Sequence, residues 1–380
     1  MMRTDVRVRA IAGVRRRRKG LIAAAALALL VIPPGGPGTT VRAQDGPAAG
    51  DPAGVLRDAG DAAAELSRLY SLLVHWRGEL VFERYYNGRR ATSLANVKSA
   101  SKSVVSALVG IAIDRGLISG VDQKIAEFFP EQLTAASGAA KRAITVEDLL
   151  TMRSGLRSTS NRYYGAWVQS RNWVDHALGR PLLAPPGTSM QYSTGNTHLL
   201  SAILTKVSGS STWQFARETL ADPLGIALAR WPQDPQGIYF GGNDMLLTPR
   251  QMVAFGRLYL DGGLLDGKRI VPADWVETSV VPRTRSPISG EAYGYGWWVR
   301  QMAGHDAFYA WGYGGQYIFV VPDLELVVVT TSSATAGDER RGHRRTVDEI
   351  VEELVVGRLA AVIDGGASSA SPGTGEVFAR

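Results

Sequence analysis

Strand-forming segments stand at the two ends of this chain and helix-forming segments fill the stretch between them, which limits the architectures open to it. Near the start, Leu72 to Trp76 and Glu79 to Tyr85 are rich in strand formers on either side of Arg77-Gly78, a hairpin signal. Near the end, Tyr295 to Val299, Phe308 to Gly312, Tyr317 to Val321 and, after a Pro322-Asp323 turn, Glu325 to Thr331 read as strands. In the middle, Thr145-Val146-Glu147-Asp148 opens one helix. Thr248-Pro249-Arg250-Gln251 places an N-cap, an N1 proline and a capping-box Gln before another. Thr346-Val347-Asp348-Glu349 caps a last helix with Ile350, Leu354 and Val355 on one face. There is no internal repeat. The pattern predicts an α+β fold in which one sheet is completed by both chain ends, with a mostly helical region inserted at about 117–245.

The net charge of +7 suggests an anionic partner until it is located: nine basic and one acidic side chain precede Gln44, so the rest of the chain is slightly acidic. That argues against nucleic acid. A cationic stretch ending at Lys19, an apolar run from Leu21 to Ile32 and Val41-Arg42-Ala43 read instead as a signal peptide over 1–43, cleaved after Ala43. The apolar run has 12 residues, short of the about 20 that a span needs. The expectation is therefore an exported protein, periplasmic or secreted, with no membrane contact beyond its leader; an uncleaved anchor is the alternative. Residues 44–60 read as a linker and 365–380 as a flexible tail, which leaves 61–364 as one domain. Zero Cys excludes disulfides, thiolate metal sites and a cysteine nucleophile. The five His show no metal-ligand spacing, so neither metal nor cofactor is expected.

The chemistry concentrates at Ser99-Ala100-Ser101-Lys102. From Ser99 to Asp114 the sequence is apolar on nearly every side and closes with Arg115-Gly116, the pattern of a buried helix. Positions i and i+3 share a helix face, so the Ser99 hydroxyl and the Lys102 amine can meet. A lysine in apolar surroundings loses its charge readily and can accept a serine proton. A snorkelling lysine beside a capping serine would give the same local pattern. Two further stretches shift the balance. Gln191-Tyr192-Ser193-Thr194-Gly195-Asn196 puts a phenol at a loop-to-helix junction, suited to a proton shuttle. Ala310-Trp311-Gly312-Tyr313-Gly314-Gly315-Gln316 is a strand whose glycines allow close approach to a ligand.

In this order the three stretches resemble the serine β-lactamase and penicillin-binding-protein superfamily, in its class C-like branch of esterases and 6-aminohexanoate-dimer hydrolases. The resemblance covers about Leu66 to Leu359, including Thr145 to Leu156 and Gly262 to Ile270. It implies an α/β sandwich with a five-stranded antiparallel sheet flanked by helices. It also implies that Ser99 is the acylated nucleophile, Lys102 its base and Tyr192 a partner in proton transfer. The Ser99 and Tyr313 N–H groups would receive the oxyanion, with Gly312, Trp311 and Ser193 beside the substrate.

Two departures bear on substrate. Penicillin-recognising members carry Lys-Thr-Gly or His-x-Gly on the late strand, where this chain has Ala310-Trp311-Gly312; many carry Tyr-x-Asn where it has Tyr192-Ser193-Thr194. Loss of a charge-assisted hydrogen bond to a substrate carboxylate removes about 1.5–3 kcal/mol, so β-lactams should be poor substrates. The expected activity is hydrolysis of a small carboxylic ester or amide. A β-lactamase or D-alanyl-D-alanine carboxypeptidase is the alternative within the fold, and a non-catalytic ligand-binding relative the alternative outside enzymology. Tyr163, Tyr164, Trp167 and Trp173 are candidates for an acyl pocket or for plain packing, and Gly241-Gly242-Asn243-Asp244 reads as a turn. Oligomeric state has no signature in the sequence.

Overall fold

The computed structural model describes residues 52–337 and 340–368. The leader, its cleavage point and the last residues of the tail lie outside the described residues. After a single turn at Pro52–Val55, the chain runs through α1 (Arg57–Ala64) into the hairpin of β1 (Leu69–Trp76) and β2 (Glu79–Tyr85). Arg77 and Gly78 both have positive φ, the backbone that a two-residue hairpin turn requires. A short β3 (Ala95–Asn96) leads to α2 (Ser101–Asp114). The insertion follows, with α3 (Thr194–Ser208) as its long helix, and the chain returns at β4 (Leu246–Leu247), which pairs with β3. Then come α4 (Pro249–Leu260), β5 (Thr284–Arg285), β6 (Ala292–Tyr293), β7 (Trp298–Met302), β8 (His305–Gly312), β9 (Gln316–Val321) and β10 (Leu326–Ser332). Helices α5 (Arg340–Glu349) and α6 (Gly357–Ser368) close the described chain.

The main sheet has the order β2-β1-β10-β9-β8-β7-β6-β5 and is antiparallel at every junction. Both chain ends complete it, as the division of strands and helices implies, and the α+β class holds. The sheet is wider than five strands: among the described residues it has eight. The excess comes from short strands on one side, β5 and β6 having only two residues each, too short for an alternation of side chains to register.

Helices cover both faces. On one, Met252 and Phe255 of α4 and Val105 and Leu108 of α2 pack against Ile318, Val320 and Val327, with α3 behind α2. On the other, Leu56, Ala59, Val351 and Leu359 pack against Leu72, Phe319 and Val328. Every residue of β9 and β10 is therefore buried, and residues 317–321 and 326–329 are unbroken apolar runs. The second layer corrects the linker boundary: residues 52–60 are helical, not extended. Leu56, Ala59 and Ala63 are fully buried, because small alanines let the helix approach the sheet closely. The C-terminal boundary shifts likewise, since α6 continues to Ser368. The capping box at Thr248 forms as the sequence predicts, and Thr145, where the sequence opens a helix, makes a second one with Asp148.

Candidate active site

Ser99 lies in the 3₁₀ turn Lys98–Ala100 that feeds α2, one turn ahead of the helix. Lys98 adopts φ of 51°, a conformation costly for a side chain larger than glycine. Side chains hold it there. The Lys98 N–H donates to Asn96 Oδ1 at 3.0 Å, and Lys98 Nζ donates to Asp244 Oδ1 at 2.6 Å. Asn96 Nδ2 donates to the same Asp244 oxygen at 2.7 Å. From the other side, β8 presses on the turn: a Cβ at position 312 would stand 2.1 Å from the Val97 carbonyl oxygen, so only glycine fits. The end of the late strand is thereby seated against the turn that carries Ser99.

Lys102, the second residue of α2, is 2% exposed. Its Nζ is 3.1 Å from Ser99 Oγ, 2.6 Å from the Gly242 carbonyl oxygen and 3.4 Å from Thr194 Oγ1. Burial lowers its pKa to about 7, opposed by the charge of Asp244. A neutral amine has two N–H donors and one lone pair. Gly242 O and Thr194 Oγ1 can take the two donors, which leaves the lone pair for the Ser99 hydroxyl.

The Tyr192 ring lies under the same amine, with Nζ 5.1 Å from its centroid. Burial pushes its phenol up to about 12, moderated by a hydrogen bond with Ser99, so the group is a neutral donor at neutral pH. Tyr192 stacks on Trp298 at 6.0 Å, and Trp298 meets Trp311 edge-on at 6.5 Å. The Arg344 guanidinium stands 5.4 Å from the Trp311 ring.

A row of hydroxyls fixes the junction that carries Tyr192. Ser158 Oγ donates to the Tyr192 carbonyl at 2.6 Å, the Thr159 N–H to Ser193 Oγ at 3.1 Å, and the Thr194 N–H to Ser160 Oγ at 2.8 Å. Ser193 is therefore turned towards Thr159, and Thr194 is the residue brought to Lys102. The end of β8 continues through Tyr313 into Gly314 and Gly315, with φ of 96° and 107°. Gln316 Nε2 reaches the Tyr313 carbonyl at 3.5 Å and the Ser332 carbonyl at 2.7 Å, tying that turn to β10.

The four aromatic candidates separate. Trp167 and Trp173 are core residues packed on Phe240 and His198. The Tyr164 hydroxyl accepts from Asn243 Nδ2 at 2.7 Å. Tyr163 lines a cleft of about 410 Å³ together with Tyr192, Met190 and Ile288. Residues that sequence reasoning passed over are Gly242, Asp244 and the hydroxyl run Ser158-Thr159-Ser160. Gly241-Gly242 was the available signal: a Cβ at 241 would meet the Thr197 carbonyl oxygen at 2.2 Å, and one at 242 would meet Lys102 Nζ at 3.0 Å.

Comparison with known proteins adds four findings. The chain matches the beta-lactamase family over residues 70–352. It is 27% identical over 297 residues to the 6-aminohexanoate-dimer hydrolase of Paenarthrobacter ureafaciens, covering 70% of this chain and 73% of that one. Its fold is similar to a penicillin-binding protein homolog from Caulobacter crescentus (TM-score 0.63, 19% identity, 81% of this chain and 98% of that chain). It is similar also to a family VIII carboxylesterase (TM-score 0.62, 19% identity, 80% and 98%).

Proposed function

The chain belongs to the beta-lactamase family and is a serine hydrolase, and from that premise we propose that it cleaves small carboxylic esters or amides through an acyl-enzyme on Ser99. One observation carries the proposal: a buried amine whose two other neighbours are acceptors and whose remaining direction faces a serine hydroxyl. In the first step the Ser99 hydroxyl proton passes to the Lys102 lone pair while Oγ bonds to the substrate carbonyl carbon. The carbonyl oxygen gains the negative charge and is received by the Ser99 and Tyr313 N–H groups. When the tetrahedral intermediate collapses, the bond to the leaving alcohol or amine breaks, and the leaving group takes a proton from the Lys102 ammonium or the Tyr192 phenol. Water then gives a proton to the Lys102 amine as its oxygen bonds to the acyl carbon. The bond between that carbon and Ser99 Oγ breaks, the carboxylic acid leaves, and Oγ takes the proton back from the Lys102 ammonium. The cleft beside Tyr192, with Tyr163, Met190 and Ile288, supports an apolar acyl or leaving group.

The test is a fluorophosphonate label or p-nitrophenyl acetate with the modified peptide mapped by mass spectrometry. The adduct is expected on Ser99 and absent from Ser99→Ala; an adduct that persists in Ser99→Ala refutes the reading. One observation favours β-lactam or D-alanyl-peptide turnover: the Arg344 guanidinium near Trp311 places a cation beside the strand that lacks one in sequence. Nitrocefin turnover more than tenfold above ester turnover would select that reading. For the leader we propose export with cleavage after Ala43, which an intact mass beginning at Gln44 would support.

A further inference from the structure

A second ionisable pair lies behind the Lys102 site and takes no part in the steps above. His198 of α3 and Asp234 are both fully buried, with Nε2 3.0 Å from Asp234 Oδ2. The His198 ring is enclosed by Trp167, Trp173 and Phe240. Asp234 Oδ1 accepts the Gln236 and Ile238 N–H groups at 2.8 and 2.9 Å, which closes the turn leading to Phe240 and Gly241. On the far side of the imidazole, the Gly241 N–H donates to Nδ1 at 3.5 Å. That donor makes Nδ1 the acceptor and places the ring proton on Nε2, facing the carboxylate. The next residue, Gly242, supplies the shortest hydrogen bond that Lys102 makes.

We infer that His198 and Asp234 are positioning residues: they lock the imidazole in its Nε2–H form, which pins Gly241-Gly242 to α3 and aims the Gly242 carbonyl so that the Lys102 lone pair faces Ser99. The inference rests on the reading of Ser99 as nucleophile and Lys102 as its base. Asp234→Asn tests it with almost no change of shape. An asparagine that keeps its Oδ1 bonds to the Gln236 and Ile238 N–H groups presents an NH₂ to Nε2. The ring proton must then move to Nδ1, where it opposes the Gly241 N–H. Displacement of Gly242 by even a fraction of an ångström is expected to lower kcat by about ten- to a hundredfold with KM changed less than about threefold. Loss of the carbonyl acceptor also disfavours the ammonium, so the acidic limb of kcat against pH shifts to lower pH. Partial unfolding would scale the rate and leave that limb in place. An unshifted limb in Asp234→Asn, whatever its rate, overturns the inference. Should that variant fail to fold, the wild-type imidazole ¹⁵N spectrum decides, with the His198 signals assigned by their loss in His198→Gln. An Nε2–H tautomer supports the inference, and an Nδ1–H tautomer overturns it. Turnover that survives Ser99→Ala defeats the nucleophile reading and this inference with it. Turnover lost in Ser99→Ala but matched to wild type in Asp234→Asn defeats this inference alone.

Discussion

The proton-accepting role proposed for Lys102 fixes how the rate must depend on pH. An ordinary lysine, with a pKa near 10.5, is neutral in only about one molecule in three thousand at pH 7. With the pKa lowered to about 7 by burial, about half the molecules carry the neutral amine at pH 7, about a tenth at pH 6 and about a hundredth at pH 5. Burial thus raises the reactive fraction at neutral pH by about three orders of magnitude. Ester hydrolysis measured as kcat/KM from pH 5 to 9 should rise about tenfold per unit below pH 6 and level off above about pH 8. Lys102→Met should lose about a hundredfold or more. The same shift has a stability signature. Between about 7 and 10.5 the unfolded chain holds a lysine proton that the folded one does not, so Lys102 makes folding stability rise with pH in that window. Below 7 both states are protonated and its contribution is constant and unfavourable. Chemical denaturation from pH 7 to 10 should show a shallower rise in Lys102→Met than in wild type. A kinetic limb centred above pH 9, or a Lys102→Met variant with more than a tenth of wild-type activity, would refute the assignment.

Three other perturbations separate the parts of the site. Gly312→Ala drives a methyl into the Val97 carbonyl oxygen, so it should cost about 1–3 kcal/mol in thermal or denaturant unfolding and most of the activity; a wild-type Tm and rate would contradict the packing of β8 on the Ser99 turn. Thr194→Val keeps the volume and removes one acceptor from Lys102, and is expected to lower kcat about tenfold with KM little changed; an unaltered kcat would show that the amine is oriented without it. Thr248→Ala removes the N-cap of α4 and should lower stability by about 1 kcal/mol while kcat stays at wild type, which calorimetry and a rate measurement check together.

The parts of the site legible in sequence are those set by local spacing. Ser99 and Lys102 are three apart, across a 3₁₀ turn that runs straight into α2, and Tyr192 stands where loop turns to helix. Positive-φ glycines after Gly312 are visible as letters. Gly242 reaches Lys102 only because the insertion folds back over α3, and such a contact across 140 residues has no spacing to announce it. Ser193 and Thr194 are neighbours, and which hydroxyl faces the amine depends on the register of Ser158-Thr159-Ser160 against them. The short strands β5 and β6 owe their existence to the edge they extend. The alanines of α1 read as linker composition until a sheet lies close enough for a methyl group to fill the gap.

One pairing of the sheet joins residues at opposite ends of the polypeptide: β1 runs from Leu69 to Trp76 against β10 from Leu326 to Ser332, with Ser71 Oγ 2.6 Å from Thr331 Oγ1. During synthesis the hairpin of β1 and β2 emerges early and then waits, one long edge unpaired, until more than two hundred further residues have left the ribosome. Closure of that seam is a late event with a large loop entropy, so a chain truncated before β10 is left with β1 unpaired along that edge.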